Sequence, residues 1–348
     1  MRPRRTALLG FGHVAELGHL PAWRARDDFA IVAVADPDPA RRAAAQRLLP
    51  GARLFDDPLA AVAAEPLDVV DIAAPPALHA PLAIAAARAG CHILCEKPLA
   101  TTLAAYGAVA AAARSAGVTL FTVHNWKHSP QYAQLAALLA AGAIGRPTLL
   151  RLETIRAGRA VSVGREWRGD AALAGGGILV DHGWHALYLL LGLAEQPPQR
   201  VRATIERRRY TGADVEDTAT CEIEFPSLRG EIFLTWAGEA RQTRWQAYGS
   251  AGSVTLVDDY GELVRDGARR DLTFAGSLSQ GSHHPDWFGA VIDEFVAEID
   301  DPAQRGRNLA EAERCLTLTA LAYQSGAEGG RTLAVPPAGL AVPAESRV

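Results

Sequence analysis

Disulfide chemistry has little to work with in this chain. Of its four cysteines, Cys91 and Cys95 lie close together in a stretch that reads as a buried strand, and Cys221 and Cys315 stand far away. That usage argues against a disulfide framework or a zinc site and points to reduced thiols in a cytoplasmic protein. No uninterrupted apolar stretch reaches the ~20 residues needed to cross a bilayer. Arg4-Arg5 followed by Thr6-Ala7-Leu8-Leu9-Gly10 has the outline of a twin-arginine export signal. Those apolar residues are better used as a first strand, because a glycine fingerprint begins at once. An excess of one charge is also missing: 35 basic and 39 acidic side chains leave −4, and nothing in that balance favours nucleic acid or a membrane surface as partner. Internal repeats and low-complexity segments are absent too, apart from alanine that fills helices.

What is present suffices for two domains: 348 residues, 49% of them hydrophobic. Ala7 to Leu9, Ala30 to Ala35, Val69 to Ala73, His92 to Cys95 and Val118 to Val123 read as strands. Pro39 to Leu49, Pro81 to Ala89 and Leu103 to Ala116 read as surface helices between them. Such alternation predicts an α/β domain over 1–124 with a doubly wound parallel sheet, a Rossmann fold. A helix from Ser129-Pro130 to about Ala141 follows. Beyond Gly145-Arg146-Pro147 the pattern turns to strand-like alternation at Arg200 to Arg209, Thr218 to Phe225, Glu231 to Trp236, Arg244 to Tyr248 and Ser253 to Val257. Helices are expected at about Gly177 to Leu191, Asp286 to Ile299 and Leu309 to Gln324. Residues 125–348 are therefore expected to form an α+β domain with a large, mostly antiparallel open sheet, used for substrate binding and oligomerisation.

Three constellations carry chemistry. Gly10-Phe11-Gly12-His13-Val14-Ala15 is GxGxxA between a strand and a helix: Gly10 permits the turn, Gly12 lets the backbone approach a pyrophosphate, and Ala15 packs helix on strand. Asp36 ends the second strand, 24 residues after Gly12, close to the spacing at which an acid takes the hydrogen bonds of an adenosine ribose. A carboxylate there repels a 2′-phosphate, so NAD is favoured over NADP, although Arg41 or Arg42 stands within reach of such a phosphate. The second constellation is Glu96-Lys97-Pro98 at the end of a strand. Pro98 keeps Lys97 extended at the carboxyl edge of the sheet, where ligands bind. A lysine there can be a point charge for an alkoxide or phosphate, a proton donor, or simply a solvated turn residue. In the third, Gly175 to His185, Asp181 and His185 are four apart on an expected helix and share a face. A carboxylate beside an imidazole orients it and raises its basicity, which makes His185 a candidate general base; an ordinary polar helix surface is the alternative. A metal held by Asp181, His182 and His185 is disfavoured, because the spacing fits no zinc pattern.

Taken together, GFGHVA at 10–15, AAPPALHAPLAIAAARAGCHILCEKPLA at 73–100, GAIGRP at 142–147 and EWRGDAALAGGGILVDHGWH at 166–185 resemble the Gfo/Idh/MocA family of nicotinamide-dependent oxidoreductases. The resemblance implies that Lys97, Asp181 and His185 converge on nicotinamide and substrate. It implies cofactor contacts from Pro75, Pro76, His79, Glu96, Asn125, Trp167 and Arg168, beside Gly10, Phe11, Gly12, His13, Val14 and Asp36. A cis peptide before Pro98 is implied as well. So is hydride transfer between NAD(P) and a secondary alcohol of a small polyol, sugar or cyclitol, by a homodimer or homotetramer. Alternatives within the family's range are a glycosidase using transient oxidation and a nucleotide-sensing regulator without turnover. Two departures concern the substrate: Tyr188 stands where members often carry aspartate, and Lys127 where arginine is more usual. His283 and His284 are expected on the surface, with pocket lining as the alternative.

Overall fold

The computed structural model describes residues 2–160, 166–280 and 283–337. Six strands, β1 (Arg4–Leu9), β2 (Phe29–Ala35), β3 (Arg53–Phe55), β4 (Val69–Ile72), β5 (His92–Cys95) and β6 (Leu120–Thr122), form a parallel sheet in the order β3-β2-β1-β4-β5-β6. The order reverses between β1 and β4, so the crevice of this sheet opens at their carboxyl ends. Every residue of β4 is buried, as expected of a strand covered on both faces. The helices begin where the chain supplies caps. Asp38 accepts from the Ala40 N–H ahead of Pro39, Thr102 accepts from the Ala105 N–H, and Ser129 from the Tyr132 N–H ahead of Pro130.

A second sheet of nine strands follows. The remaining strands are β7 (Pro147–Ile155), β8 (Arg200–Glu206), β9 (Thr218–Glu224), β10 (Arg229–Thr235), β11 (Gln242–Gly249), β12 (Gly252–Val257), β13 (Tyr260–Arg265), β14 (Ala268–Thr273) and β15 (Leu333–Ala334). They lie in the order β14-β13-β12-β11-β7-β10-β9-β8-β15, antiparallel except for the central pair β7 and β10. Leu150, Leu152, Ile232, Leu234, Trp245 and Ala247 fill the face covered by helices. On the other face Arg151 pairs with Glu231, and Arg244 lies 3.4 Å from Glu153.

The stretch 171–194 is long and apolar enough to cross a membrane by length and composition, yet 78% of its most apolar window is buried inside the protein. It is the central helix of the second region. One feature departs from a linear division at His124. Helix Pro285–Asp300 packs Phe288, Val291, Ile292 and Phe295 against Leu8, Phe11, Leu94 and Phe121 of the parallel sheet. Its apolar face is the cover that β1 and β5 need on that side. Residues 338–348, the end of the second expected domain, lie outside the described residues.

Candidate active site

Lys97 leaves the carboxyl end of β5 and crosses to the second region. Its Nζ donates to the Asp181 carbonyl at 2.6 Å and to Asp181 Oδ1 at 3.1 Å. The Lys97-Pro98 peptide is cis. His79 ties this loop to its neighbour, its Nδ1 lying 2.7 Å from the Pro98 carbonyl and its Nε2 2.7 Å from that of Ala74, just before Pro75. With both ring nitrogens on carbonyls, His79 serves the site by holding the two loops together. Glu96 turns away from the cleft. Its Oε1 meets His19 Nε2 at 3.0 Å, and its Oε2 accepts the Lys97 N–H at 3.0 Å.

Asp181 sits in a wide helical turn, Leu179–Gly183, that runs into helix Trp184–Ala194. Such a turn frees carbonyls from the helical ladder, and Lys97 takes that of Asp181. The entry is pinned by Glu216 near the end of the 207–217 connection, whose carboxylate accepts the N–H groups of Gly177 and Leu179, each at 2.9 Å, and the Tyr323 hydroxyl at 2.9 Å. A Cβ at Gly177 would lie 1.9 Å from the Glu216 carbonyl oxygen, and one at Gly176 would lie 2.1 Å from the Tyr323 hydroxyl, so this close approach requires glycine. Burial alone would raise the Asp181 pKa. Lys97, His182 and Arg168 outweigh that and hold the carboxyl well below the usual range. Arg168 Nε and His182 Nε2 each lie 3.9 Å from Asp181 Oδ2.

His185 does not pair with Asp181; among the described residues no hydrogen bond or ion pair joins them. The wide turn breaks the regular four-residue spacing, and Asp181 is spent on Lys97. His185 Nδ1 instead lies 2.8 Å from the Tyr188 hydroxyl, and its ring stacks on Trp126 with centroids 5.2 Å apart. Burial, followed by Lys97 and His182, pushes its pKa well below the ordinary value, with Asp181 opposing. The expectation of a more basic imidazole oriented by Asp181 is thus corrected: no bond joins the two, and burial disfavours the charged ring. His182 is likewise pulled down to about 3 by burial, against the pull of Asp181. Among the described residues, no group of side chains could hold a metal ion.

A cleft of about 260 Å³ opens here, lined by Pro76, Lys97, Trp167, Arg168, Asp181 and Trp236 among others. The Arg168 guanidinium stacks over Trp167 at 4.3 Å. Asn125 is buried at the start of the turn Asn125–His128, just past β6. On the cofactor side, Gly10 has φ +92° and a Cβ there would lie 2.5 Å from the Ala73 carbonyl oxygen, whereas the Cα of Gly12 faces open space. The cradle at Gly10 and Gly12 therefore leaves room for a dinucleotide, while the Phe11 side chain is buried in the core beneath it. Asp36 Oδ2 accepts the Phe11 N–H at 2.8 Å and Oδ1 the Asp38 N–H at 2.9 Å. Arg41 and Arg42 donate to the Phe11, Asp36 and Pro37 carbonyls, and Arg41 also meets Glu16.

Residues 4–124 match the model described as "Oxidoreductase family, NAD-binding Rossmann fold", and 132–255 match the "GFO/IDH/MocA C-terminal domain". The chain belongs to the Gfo/Idh/MocA family of NAD(P)-dependent oxidoreductases. Among its relatives is D-apiose dehydrogenase of Paraburkholderia graminis, 41% identical over 40% of this chain and 37% of that protein. Inositol 2-dehydrogenase 2 of Saccharopolyspora erythraea is 31% identical over 65% of each chain. The match thus spans less than two thirds of either relative's length. The crystal structure of GenD2 from gentamicin A biosynthesis, in complex with NAD, superposes with a TM-score of 0.83, 26% identity and 97% coverage of both chains.

Set in this family's fold, the parallel sheet supplies the NAD-binding domain, and when bound NAD brings a nicotinamide ring that accepts or gives a hydride. Some residues that build the site carried no motif. Glu216 was marked only by the close-packed glycines that need it. Trp126 was marked only as a neighbour of Asn125, and Trp236 only as the end of a strand. His283 is half-buried rather than on the open surface, its ring 6.2 Å from that of His13 in the fingerprint. His284 stacks on Trp287 at 3.6 Å. Ser282, which precedes them, lies outside the described residues.

Proposed function

We propose that this chain transfers a hydride between NAD and a secondary alcohol of a sugar, cyclitol or sugar derivative, with Lys97, Asp181 and His185 as the groups at the reacting carbon. The supporting observation is the junction of Lys97 with Asp181 beside the cleft. It places an ammonium, held by an ionised carboxylate, at the carboxyl edge of the parallel sheet. A fixed positive charge there stabilises oxygen as it gains negative charge, and preorganised charges do this best. Asp181 orients Lys97, while Trp167 and Arg168 close the cleft from the second region. Preference for NAD over NADP rests on the Asp36 carboxylate at the end of β2, with Arg41 and Arg42 already engaged by carbonyls. The carbohydrate class rests on relatives named for apiose, inositol and glucoside substrates.

A cytoplasmic setting accords with four free, buried cysteines. Association of copies into dimers or tetramers is proposed through the open face of the second sheet, where Leu149, Phe233 and Tyr248 flank the ion pairs. The test is a panel of cyclitols, free sugars and nucleotide sugars assayed with NAD and NADP in parallel. Formation of reduced nicotinamide, lowered about 10²- to 10⁴-fold in Lys97→Ala, supports the reading. Equal turnover in Lys97→Ala contradicts it, and bond cleavage without net release of reduced cofactor identifies a hydrolase instead.

A further inference from the structure

We infer that Tyr188 fixes the tautomer of His185, which makes its Nε2–H a hydrogen-bond donor to the carbinol oxygen and not the base that takes its proton. This rests on the hydride-transfer reading above and decides a role within it. The Tyr188 hydroxyl is fully buried and receives the Trp126 backbone N–H at 3.0 Å. A tyrosine hydroxyl has one proton of its own to place, and among the described residues His185 Nδ1, at 2.8 Å, is the acceptor available. The proton positions follow from satisfying this network. If Nδ1 carried the proton instead, the Tyr188 O–H would be left buried without an acceptor, which is expensive. Nδ1 is therefore a lone pair and the ring proton sits on Nε2, which has no protein partner among the described residues.

The ring has no freedom to turn away from this arrangement. It lies against Trp126 on one side and meets Tyr188 edge-on at 5.6 Å. Tyr188 stacks in turn on His124 at 4.4 Å. His124 is itself fixed, since Trp184 Nε1–H donates to its Nε2 at 3.1 Å and Glu311 accepts from its Nδ1 at 2.7 Å. The titratable groups facing His185 are Lys97 from β5, Asp181 and His182 from its own helix, and His124 from the end of β6, with Glu311 behind Tyr188 and His124. None of the carboxylates touches the imidazole, so an imidazolium would have no anion in contact. Burial pushes in the same direction.

An Nε2–H can donate to an oxygen gaining negative charge, but it cannot take a proton at that atom. Tyr188 is a positioning residue in this scheme.

The test is long-range ¹H–¹⁵N NMR of histidine-labelled protein from about pH 5 to pH 9, combined with pH–rate profiles. For the wild type, the expected His185 signals are an unprotonated Nδ1 and a protonated Nε2. Tyr188→Asp supplies a carboxylate that accepts from Nδ1, so the tautomer should invert and a rising limb should appear near pH 6–7 in the oxidation profile. Tyr188→Phe removes the hydroxyl that occupies Nδ1, so both His185 tautomers should be populated in its spectrum. A wild-type Nδ1–H signal would overturn the inference, as would a Tyr188→Phe spectrum that keeps the wild-type tautomer alone. The NMR on wild-type protein needs neither a variant nor turnover. A substrate panel that reduces no nicotinamide would therefore remove the hydride reading while the tautomer was still decided.

Discussion

His19 has both ring nitrogens on carboxylates and no exposure to solvent: Nδ1 lies 2.8 Å from Asp71 and Nε2 3.0 Å from Glu96, with Trp23 Nε1 donating to Asp71 at 2.7 Å. Burial alone would lower its pKa, but Asp71 and then Glu96 raise it to about 10. The imidazolium therefore contributes stability fully below the unfolded value of 6.5, and that contribution is lost as pH rises toward and through about 10. Removing one member of such a buried set leaves charge uncompensated, so His19→Asn should cost about 3–5 kcal/mol at neutral pH. The difference from wild type should shrink by pH 10, as urea unfolding at both pH values would register. A difference that grows with pH would show that His19 folds neutral. At this scale the sequence exposed Lys97 and the fingerprint because their backbone neighbours, Pro98 and the glycines, are themselves unusual. It hid the partner of His185, because a tyrosine three residues on in a helix looks like ordinary core until its hydroxyl is placed.

The elements were legible where one face is buried and one is not. Helix Leu103–Ala116 and strand His92–Cys95 have the limits read from periodicity. β7 was missed, although Leu149 to Ile155 alternates in burial, because its charged residues Arg151 and Glu153 suggest a surface loop until Glu231 and Arg244 are seen to pair with them. The wide turn at Leu179–Gly183 was not legible: periodicity assumes a regular helix, and the cause of the distortion lies in Glu216, more than thirty residues downstream. Gly177→Ala tests that cause, since its Cβ meets backbone rather than a movable side chain. Overpacking of this kind costs ~1–3 kcal/mol or more and should displace Asp181 from Lys97. A lower melting temperature with a fall in kcat is expected, whereas Gly212→Ala, with nothing within 4 Å, should stay within about 0.5 kcal/mol of wild type. Equal effects of the two would remove the argument that Glu216 shapes the turn.

The molecule as a whole is held together by a return of the chain. Helix Pro285–Asp300 covers the face of the parallel sheet that Leu8, Phe11, Leu94 and Phe121 would otherwise present to water. Asn308, at the start of the last long helix, accepts the Thr122 N–H at 2.6 Å and donates to the Thr122 carbonyl at 2.9 Å. A chain ending at His124 should therefore expose this apolar face, bind a hydrophobic dye and melt without cooperativity in calorimetry. A cooperative transition with no dye binding would make 1–124 a domain in its own right. Sequence pattern alone could not reveal this, because an amphipathic helix states that it needs cover without stating which sheet provides it. The central claim is that hydride passes directly between a carbinol carbon and NAD in the cleft that Lys97 and Asp181 close. It is tested most directly with a polyol substrate deuterated at the reacting carbon: deuterium should appear in the nicotinamide ring of the reduced cofactor, at a rate that collapses in Lys97→Ala. Reduced cofactor without deuterium, or deuterium transfer undiminished in that variant, would contradict the account.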